Sequence, residues 1–275
     1  MNNEFPNANF PVPENQLTNY PITESNIPKC VILAAGASTR LRPLTNAMPK
    51  CLLKVCGKTL LERTIENVLT AGIKEIAIVI GYRAEMIREF VKQRFPQQRI
   101  HFILNPNYAS TNNAYSLLLG RRFLEDEDRK VNYNLLLLDS DILFSSKSLP
   151  YLLSIKADNK IAVRVSGEHD EEEVQVGINP DGNINFIGKK QVLNNTTGES
   201  IGIELFSAEA AARLFAVLDR RIREEIGRSE FYEAAFQEMI DEGVMLKAVD
   251  VSAFPTIEID TPEDLELAKR LKVDE

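Results

Sequence analysis

From residue 30 onward the chain alternates two hydrophobic rhythms. Residues 30–35 (CVILAA) form a continuous apolar run that stops at Gly36, the pattern of a strand buried on both faces. Residues 59–72 (TLLERTIENVLTAG) space their apolar positions as a helix does, and Gly72 supplies a stop. Residues 75–81 (EIAIVIG) return to an unbroken β-branched run, 84–95 (AEMIREFVKQRF) to a helix, and 100–104 (IHFIL) to a strand. Residues 113–124 (NAYSLLLGRRFL) then read as a helix and 134–144 (NLLLLDSDILF) as one buried strand carrying acidic residues. Short strands separated by helices predict a parallel sheet wound by right-handed crossovers, with ligands beyond the carboxyl ends of the strands.

The second half is less regular. Residues 160–165 (KIAVRV) suggest a strand, followed by an acidic run over 168–173. Residues 174–189 alternate about Asp181-Gly182, a hairpin signal, and 199–206 (ESIGIELF) read as another strand. Helices are expected from Ser207 and from Ser229, each serine as N-cap, the second stopping at Gly243. Residues 245–251 give a final strand, and a final helix comes after it with Thr261 as N-cap and Pro262 at its first position. Residues 1–28 are rich in Asn and Pro and have no periodicity, so they read as an extension that is flexible or drapes over the domain. No linker divides the remainder of the chain, which predicts a single domain over 29–275 with a mixed-β insertion.

Composition narrows the classes of partner. With 32 basic and 40 acidic residues the net charge is −8, so nucleic acid gains no electrostatic support. Anionic substrates must meet a local group of cations. Cys30, Cys51 and Cys56 form neither a paired framework nor a CxxC motif and read as reduced core thiols, pointing to a cytoplasmic protein. No stretch is long enough for a membrane span, and no signal peptide is visible. A homodimer is compatible with the sequence, though nothing in the pattern requires one.

Candidate chemistry concentrates in 31–53, VILAAGASTRLRPLTNAMPKCLL. The apolar strand opens into small residues with Ser38, Thr39 and Arg40, and Pro43 and Pro49 keep the backbone irregular until Lys50. Small residues let backbone N–H groups approach an anion, and the two cations add charge, so the expected ligand carries several phosphates. The plain alternative is a surface loop with two solvated cations. Asp141 follows the most apolar strand, where a carboxylate is costly unless paired or bound to metal. Asp139 or Asp141 could otherwise cap a nearby helix, and so could Asp260.

The block AAG, Arg40, RPLT and PKCLL resembles the signature of the nucleotidylyltransferase family that makes nucleotide-diphosphate sugars and CDP-alcohols. Ser38 departs from it, standing where the commoner pattern has Gly. The resemblance implies an α/β, Rossmann-like, mostly parallel sheet flanked by helices, with the mixed-β insertion on the acceptor side. It further implies that Leu33, Ala34, Ala35, Gly36, Ser38 and Thr39 bind the nucleotide, with Arg40 on the departing phosphates and Lys50 on the α-phosphate. Asp141 and Asp260 match the metal carboxylates, a donor set that suits octahedral Mg²⁺. Asn105 matches an amide that reads the pyrimidine, and Ser110, Thr111 and Asn112 the turn around base and ribose. Lys189 resembles a lysine on the acceptor phosphate, and Glu199 and Tyr232 join it as acceptor-side candidates.

TNNAYSL, the 171–189 hairpin, GESIGIELFS, FYEAAFQEMI and EIDTPEDL look like bacterial choline-phosphate cytidylyltransferases, and are similar to relatives that activate aminoethylphosphonate or inositol phosphate. The implied reaction moves a nucleotidyl group, CMP from CTP, onto a small phosphorylated or phosphonate acceptor and releases pyrophosphate. A sugar-1-phosphate enzyme using UTP or dTTP is the alternative, and a non-catalytic nucleotide-binding regulator is a further one. GxGxxG is missing, which weakens a dehydrogenase. For a quaternary ammonium acceptor, Tyr108, Tyr115, Phe186, Tyr232 and Phe254 are the candidate aromatic faces, with Glu168, Asp170 and Glu199 as acidic partners. No cage is assigned from them.

Overall fold

The computed structural model describes residues 27–165, 174–189, 198–224 and 226–273. Nearly all of the 1–28 extension, the acidic run at 168–173 and the candidates Glu168 and Asp170 lie outside the described residues.

In chain order the elements are β1 (Lys29–Ala34), β2 (Lys54–Val55), β3 (Lys58–Thr59), α1 (Leu60–Thr70), β4 (Ile76–Ile80), α2 (Ala84–Arg94) and β5 (Ile100–Leu104). They continue with α3 (Asn113–Leu124), β6 (Leu135–Asp139), β7 (Ile142–Phe144), α4 (Ser148–Ser154), β8 (Lys160–Arg164), β9 (Gln175–Ile178) and β10 (Ile184–Gly188). The last are β11 (Gly198–Phe206), α5 (Ala208–Arg223), α6 (Glu233–Asp241), β12 (Lys247–Asp250), β13 (Thr256–Glu258) and α7 (Pro262–Ala268).

The main sheet runs β10-β9-β11-β6-β1-β4-β5, with β8 and β12 joined alongside β11. Strands β6, β1, β4 and β5 are parallel, whereas β11 runs antiparallel to β6, β8 and β9. The parallel half is the crossover sheet expected from the sequence, and the antiparallel half is the mixed-β part.

Strand alternation divides the core in two. Cys30, Ile32, Ile76, Ile78, Leu136 and Leu138 pack on one face with Leu61 and Ile65 of α1, Ile87 of α2 and Leu152 of α4. Val31, Leu33, Val79, Leu135 and Leu137 pack on the other with Leu117 of α3, Leu214 and Phe215 of α5 and Phe236 of α6. Each strand residue therefore chooses a face by parity, which explains why these strands read as unbroken apolar runs. A third cluster sets Leu41, Leu53 and Leu60 against Leu143, Ile259, Leu265 and Ala268. It pins both ends of the loop after β1 to the C-terminal elements.

Four sequence expectations need correction. Residues 134–144 are two strands, because the chain turns at Ser140-Asp141 and β7 leaves the main sheet to pair with β13. β13, which follows β12, has too few residues to show a periodicity of its own. Ser229 does not cap α6: that helix starts at Glu233 after Tyr232, with no side-chain cap. Cys56 is exposed at the β2–β3 turn, whereas Cys30 and Cys51 are buried thiols. The caps at Ser207 and Thr261 form as expected, the latter as a capping box with Asp264.

Candidate active site

The parallel strands end along one rim, and a cavity of about 350 Å³ opens beyond them. The loop after β1 forms one wall. Ala35 holds it against the next strand end, its carbonyl accepting from the Tyr82 amide at 2.9 Å. Gly81 permits that approach, since a Cβ there would lie 2.7 Å from the Ala35 oxygen and 2.6 Å from Tyr108 Cβ. Ser38 sits at φ 45° and ψ 58°, the left-handed region that glycine adopts without strain. That conformation accounts for the glycine of the commoner pattern. Here the turn survives with serine, and the Ser38 carbonyl accepts from Thr45 Oγ1 at 2.9 Å.

Lys50 enters from the other end of the loop and is 5% exposed. Its ammonium lies 3.0 Å from Asp141 and 2.6 Å from Asp260. Burial pulls the Lys50 pKa down, but the two carboxylates outweigh it and the net shift is upward. Arg40 Nη2 meets the other Asp260 oxygen at 2.6 Å. Burial works against ionisation of Asp260, yet Lys50 and then Arg40 hold its pKa below the usual range.

Pairing of β7 with β13 brings these carboxylates together: Glu258 stands opposite Ile142, and the Ile259 amide donates to the Asp141 carbonyl at 3.1 Å. Neither aspartate serves as a helix cap. Thr261 caps α7, while Asp264 accepts from the Asp260 amide at 3.0 Å and so fixes the backbone there. Asp141 precedes β7, and the next helix, α4, has Lys147 at its N-cap position.

Glu258 completes the group, with oxygens of Asp141, Glu258 and Asp260 all within 4.8 Å of one another. Glu258 is the exposed member of the three, and crowding of its carboxyl away from water, then the charges of Asp141 and Asp260, push its pKa up. Three hard oxygen donors so close suit a small divalent cation. The sequence reading missed Glu258. Its signal was the spacing of two from Asp260, which puts both on one side of an extended segment.

Leu33, Ala34, Ala35, Gly36, Ser38, Thr39, Arg40 and Lys50 all line the cavity. Asn105, Thr111 and Asn112 do so as well, whereas Ser110 lies outside the lining and is exposed. Asn105 is 1% exposed, and its amide is engaged within its own loop. It donates to Ser116 Oγ at 3.0 Å and Thr111 Oγ1 at 3.3 Å, and accepts from the Asn107 amide at 2.9 Å. In this state Asn105 shapes the turn.

Lys189 lines the cavity with its ammonium 4.3 Å from the Phe231 ring centroid. Tyr232 also lines it, but is 1% exposed and donates its hydroxyl to Asp139 at 2.7 Å. Glu199 is outside the lining, in an ion pair with Arg164. Of the candidate aromatic faces, only Tyr108 and Tyr232 reach the cavity. Phe254 packs on Tyr151, and Tyr115 and Phe186 stand apart from the lining. No described helix is long and apolar enough to cross a membrane.

Known proteins resemble the chain in sequence and in fold. A family model described as nucleotidyl transferase matches residues 29–185, more than half of the chain. The chain is 28% identical over 256 residues to the CTP:phosphoglutamine cytidylyltransferase of Campylobacter jejuni, covering 86% of this chain and 97% of that protein. It is 30% identical over 134 residues to the CMP-5'-(3-aminopropyl)phosphonate synthase of Streptomyces rubellomurinus, covering 49% of this chain but only 20% of that much longer protein. Among solved structures, the CTP:phosphocholine cytidylyltransferase of Streptococcus pneumoniae superposes with a TM-score of 0.73. That alignment has 23% identity and covers 88% of this chain and 97% of the other, a likeness of fold.

Proposed function

The chain belongs to the nucleotidyl transferase family, and on that premise we propose that it transfers CMP from CTP to a small phosphorylated or phosphonate acceptor, of the class that includes phosphocholine and 2-aminoethylphosphonate, releasing pyrophosphate. The observation that carries this reading is the knot of charge at the cavity floor, where Lys50 and Arg40 from the small-residue loop meet Asp141 and Asp260. CTP is favoured because the phosphoglutamine and aminopropylphosphonate relatives are named for CTP or CMP chemistry.

An acceptor phosphate oxygen is already anionic, so attack on the α-phosphorus needs no strong general base. What the site must do is bring two anions together and balance the charge that grows during transfer. Asp141, Asp260 and Glu258 are the residues that would hold Mg²⁺, which would supply positive charge to the phosphates. The wall from Ala35 to Thr39 receives the triphosphate, and Arg40 holds the departing phosphates. Lys50, held ionised by its two carboxylates, donates to the α-phosphate. Lys189 holds the acceptor anion.

The test is a panel of CTP, UTP, dTTP, ATP and GTP crossed with phosphocholine, 2-aminoethylphosphonate and glucose 1-phosphate, scored by pyrophosphate release with MgCl₂. CTP with a small phosphate or phosphonate should dominate. Dominance of UTP or dTTP with glucose 1-phosphate would move the protein to the sugar branch.

A further inference from the structure

Beyond the charged knot, the cavity is lined by Ser200 and Gly202 of β11, by Lys189, and by Tyr232 and Glu233 at the start of α6. Glu233 is 6% exposed, yet its Oε2 has no hydrogen-bond partner among the described residues. Behind it Glu204 is fully buried on β11, and its Oε2 also lacks a partner among the described residues, although Oε1 accepts from Ser200 Oγ at 3.3 Å. Asp139 adds a third carboxyl, half-buried and satisfied by Tyr232, and Gly202 leaves just enough room for it. A carboxylate withdrawn from water without a donor is costly, and a fold does not need that cost for packing. Burial lifts the Glu233 pKa to about 7, with a hydrogen bond from its own backbone amide and then Lys189 working the other way, so the orphan is the one oxygen Oε2.

A buried carboxylate oxygen asks for an N–H or O–H donor. A trimethylammonium group has none and is held instead by aromatic faces. Among the described residues the cavity offers no such cage. The Tyr108 ring meets Tyr82 edge-on, the Tyr232 ring packs against Phe236 with its hydroxyl engaged, and Lys189 already covers Phe231.

We propose that Glu233 sets acceptor specificity by accepting hydrogen bonds from an N–H-bearing ammonium group on a short chain, whose phosphate or phosphonate end is held by Lys189. The inference rests on the acceptor class given under Proposed function and narrows it: an aminoalkyl phosphate or phosphonate is preferred over its trimethylated counterpart.

Binding separates this inference from the reaction. Calorimetry on the full chain would compare 2-aminoethylphosphonate, its N-trimethyl derivative and propylphosphonate, in which a methyl group replaces the ammonium. The amine should bind at least about tenfold more tightly than either of the others, the scale of a hydrogen bond to a charged group. In Glu233→Gln the amine's advantage over propylphosphonate should fall to within about threefold, and Glu233→Asp should restore part of it. Thermal stabilisation by CTP should be unchanged in both variants, which shows that the fold and the nucleotide wall are intact. Equal binding of amine and propylphosphonate by the wild type would overturn the proposal, as would tighter binding of the trimethyl compound. If the amine preference and its dependence on Glu233 hold while no triphosphate yields pyrophosphate with any acceptor, this inference stands and the transfer reaction falls.

Discussion

Replacing Lys50 with methionine keeps an unbranched side chain one atom shorter but removes a buried cation that ties Asp141 to Asp260. The carboxylates left behind lie within 4.8 Å of each other and of Glu258. Two unit charges at that distance repel by about 3.5 kcal/mol at an effective dielectric constant near 20. Solvent reaches both aspartate side chains, 29% and 26% exposed, so the net loss should be smaller, about 2 kcal/mol at pH 7.5 without divalent metal.

The pH dependence originates in Asp260. In the wild type Lys50 and Arg40 depress its folded pKa, so its stabilising contribution is present above the unfolded value of about 3.9 and is lost as pH falls through the folded value. Without Lys50 that contribution shrinks or reverses, so the gap between variant and wild type should be widest near neutrality and should narrow by about pH 3, below the unfolded value. Urea titrations at the two pH values measure it directly. Turnover should drop about 100-fold or more while triphosphate KM changes much less, the signature of charge stabilisation in the transition state. A variant as stable as the wild type at pH 7.5, or one that reacts normally once saturated, would refute the reasoning.

Asp141→Asn should nearly abolish turnover while the unfolding midpoint is kept or raised, and normal Mg²⁺-dependent rates would remove Asp141 from the chemistry. Ser38→Gly should be tolerated with near-normal kcat, because the turn already has φ 45°, whereas Ser38→Val should destabilise by about 1–2 kcal/mol in thermal melts. Tyr232→Phe leaves half-buried Asp139 without its donor and should cost about 1 kcal/mol in urea titration. Lys160 is buried against the carbonyls that end α4, and burial lowers its pKa to about 8. A lysine whose folded pKa is depressed binds fewer protons folded than unfolded between about pH 8 and 10. Stability of the wild type relative to Lys160→Met should therefore rise as pH increases through that window.

The parallel half of the fold was legible because its strands are buried on both faces, so each is a plain apolar run with helices between. Arg40 and Lys50 were legible for another reason: they sit in one short block whose prolines and small residues have few other uses. Glu258 was not, because its place depends on β13 pairing with β7, a contact across more than a hundred residues. The break at Ser140-Asp141 was hidden by apolar residues on both sides of it. Asn105 was expected at the site and lines the cavity, but its bonds to Ser116 and Asn107 depend on how the following turn closes. Glu204 carried a local signal, a carboxylate inside the apolar run of β11. Glu233 carried none, since acidic residues are ordinary in the first turn of a helix.

The central claim is that one cavity joins a nucleotide to a phosphorylated acceptor. Phosphorus-31 NMR of the purified protein with CTP, MgCl₂ and 2-aminoethylphosphonate tests it most directly. Pyrophosphate and a new phosphonate–phosphate anhydride carrying CMP should grow together in equal amounts, and neither should grow with Asp141→Asn. Pyrophosphate and free CMP without the anhydride, or no change in CTP over many hours, would contradict it.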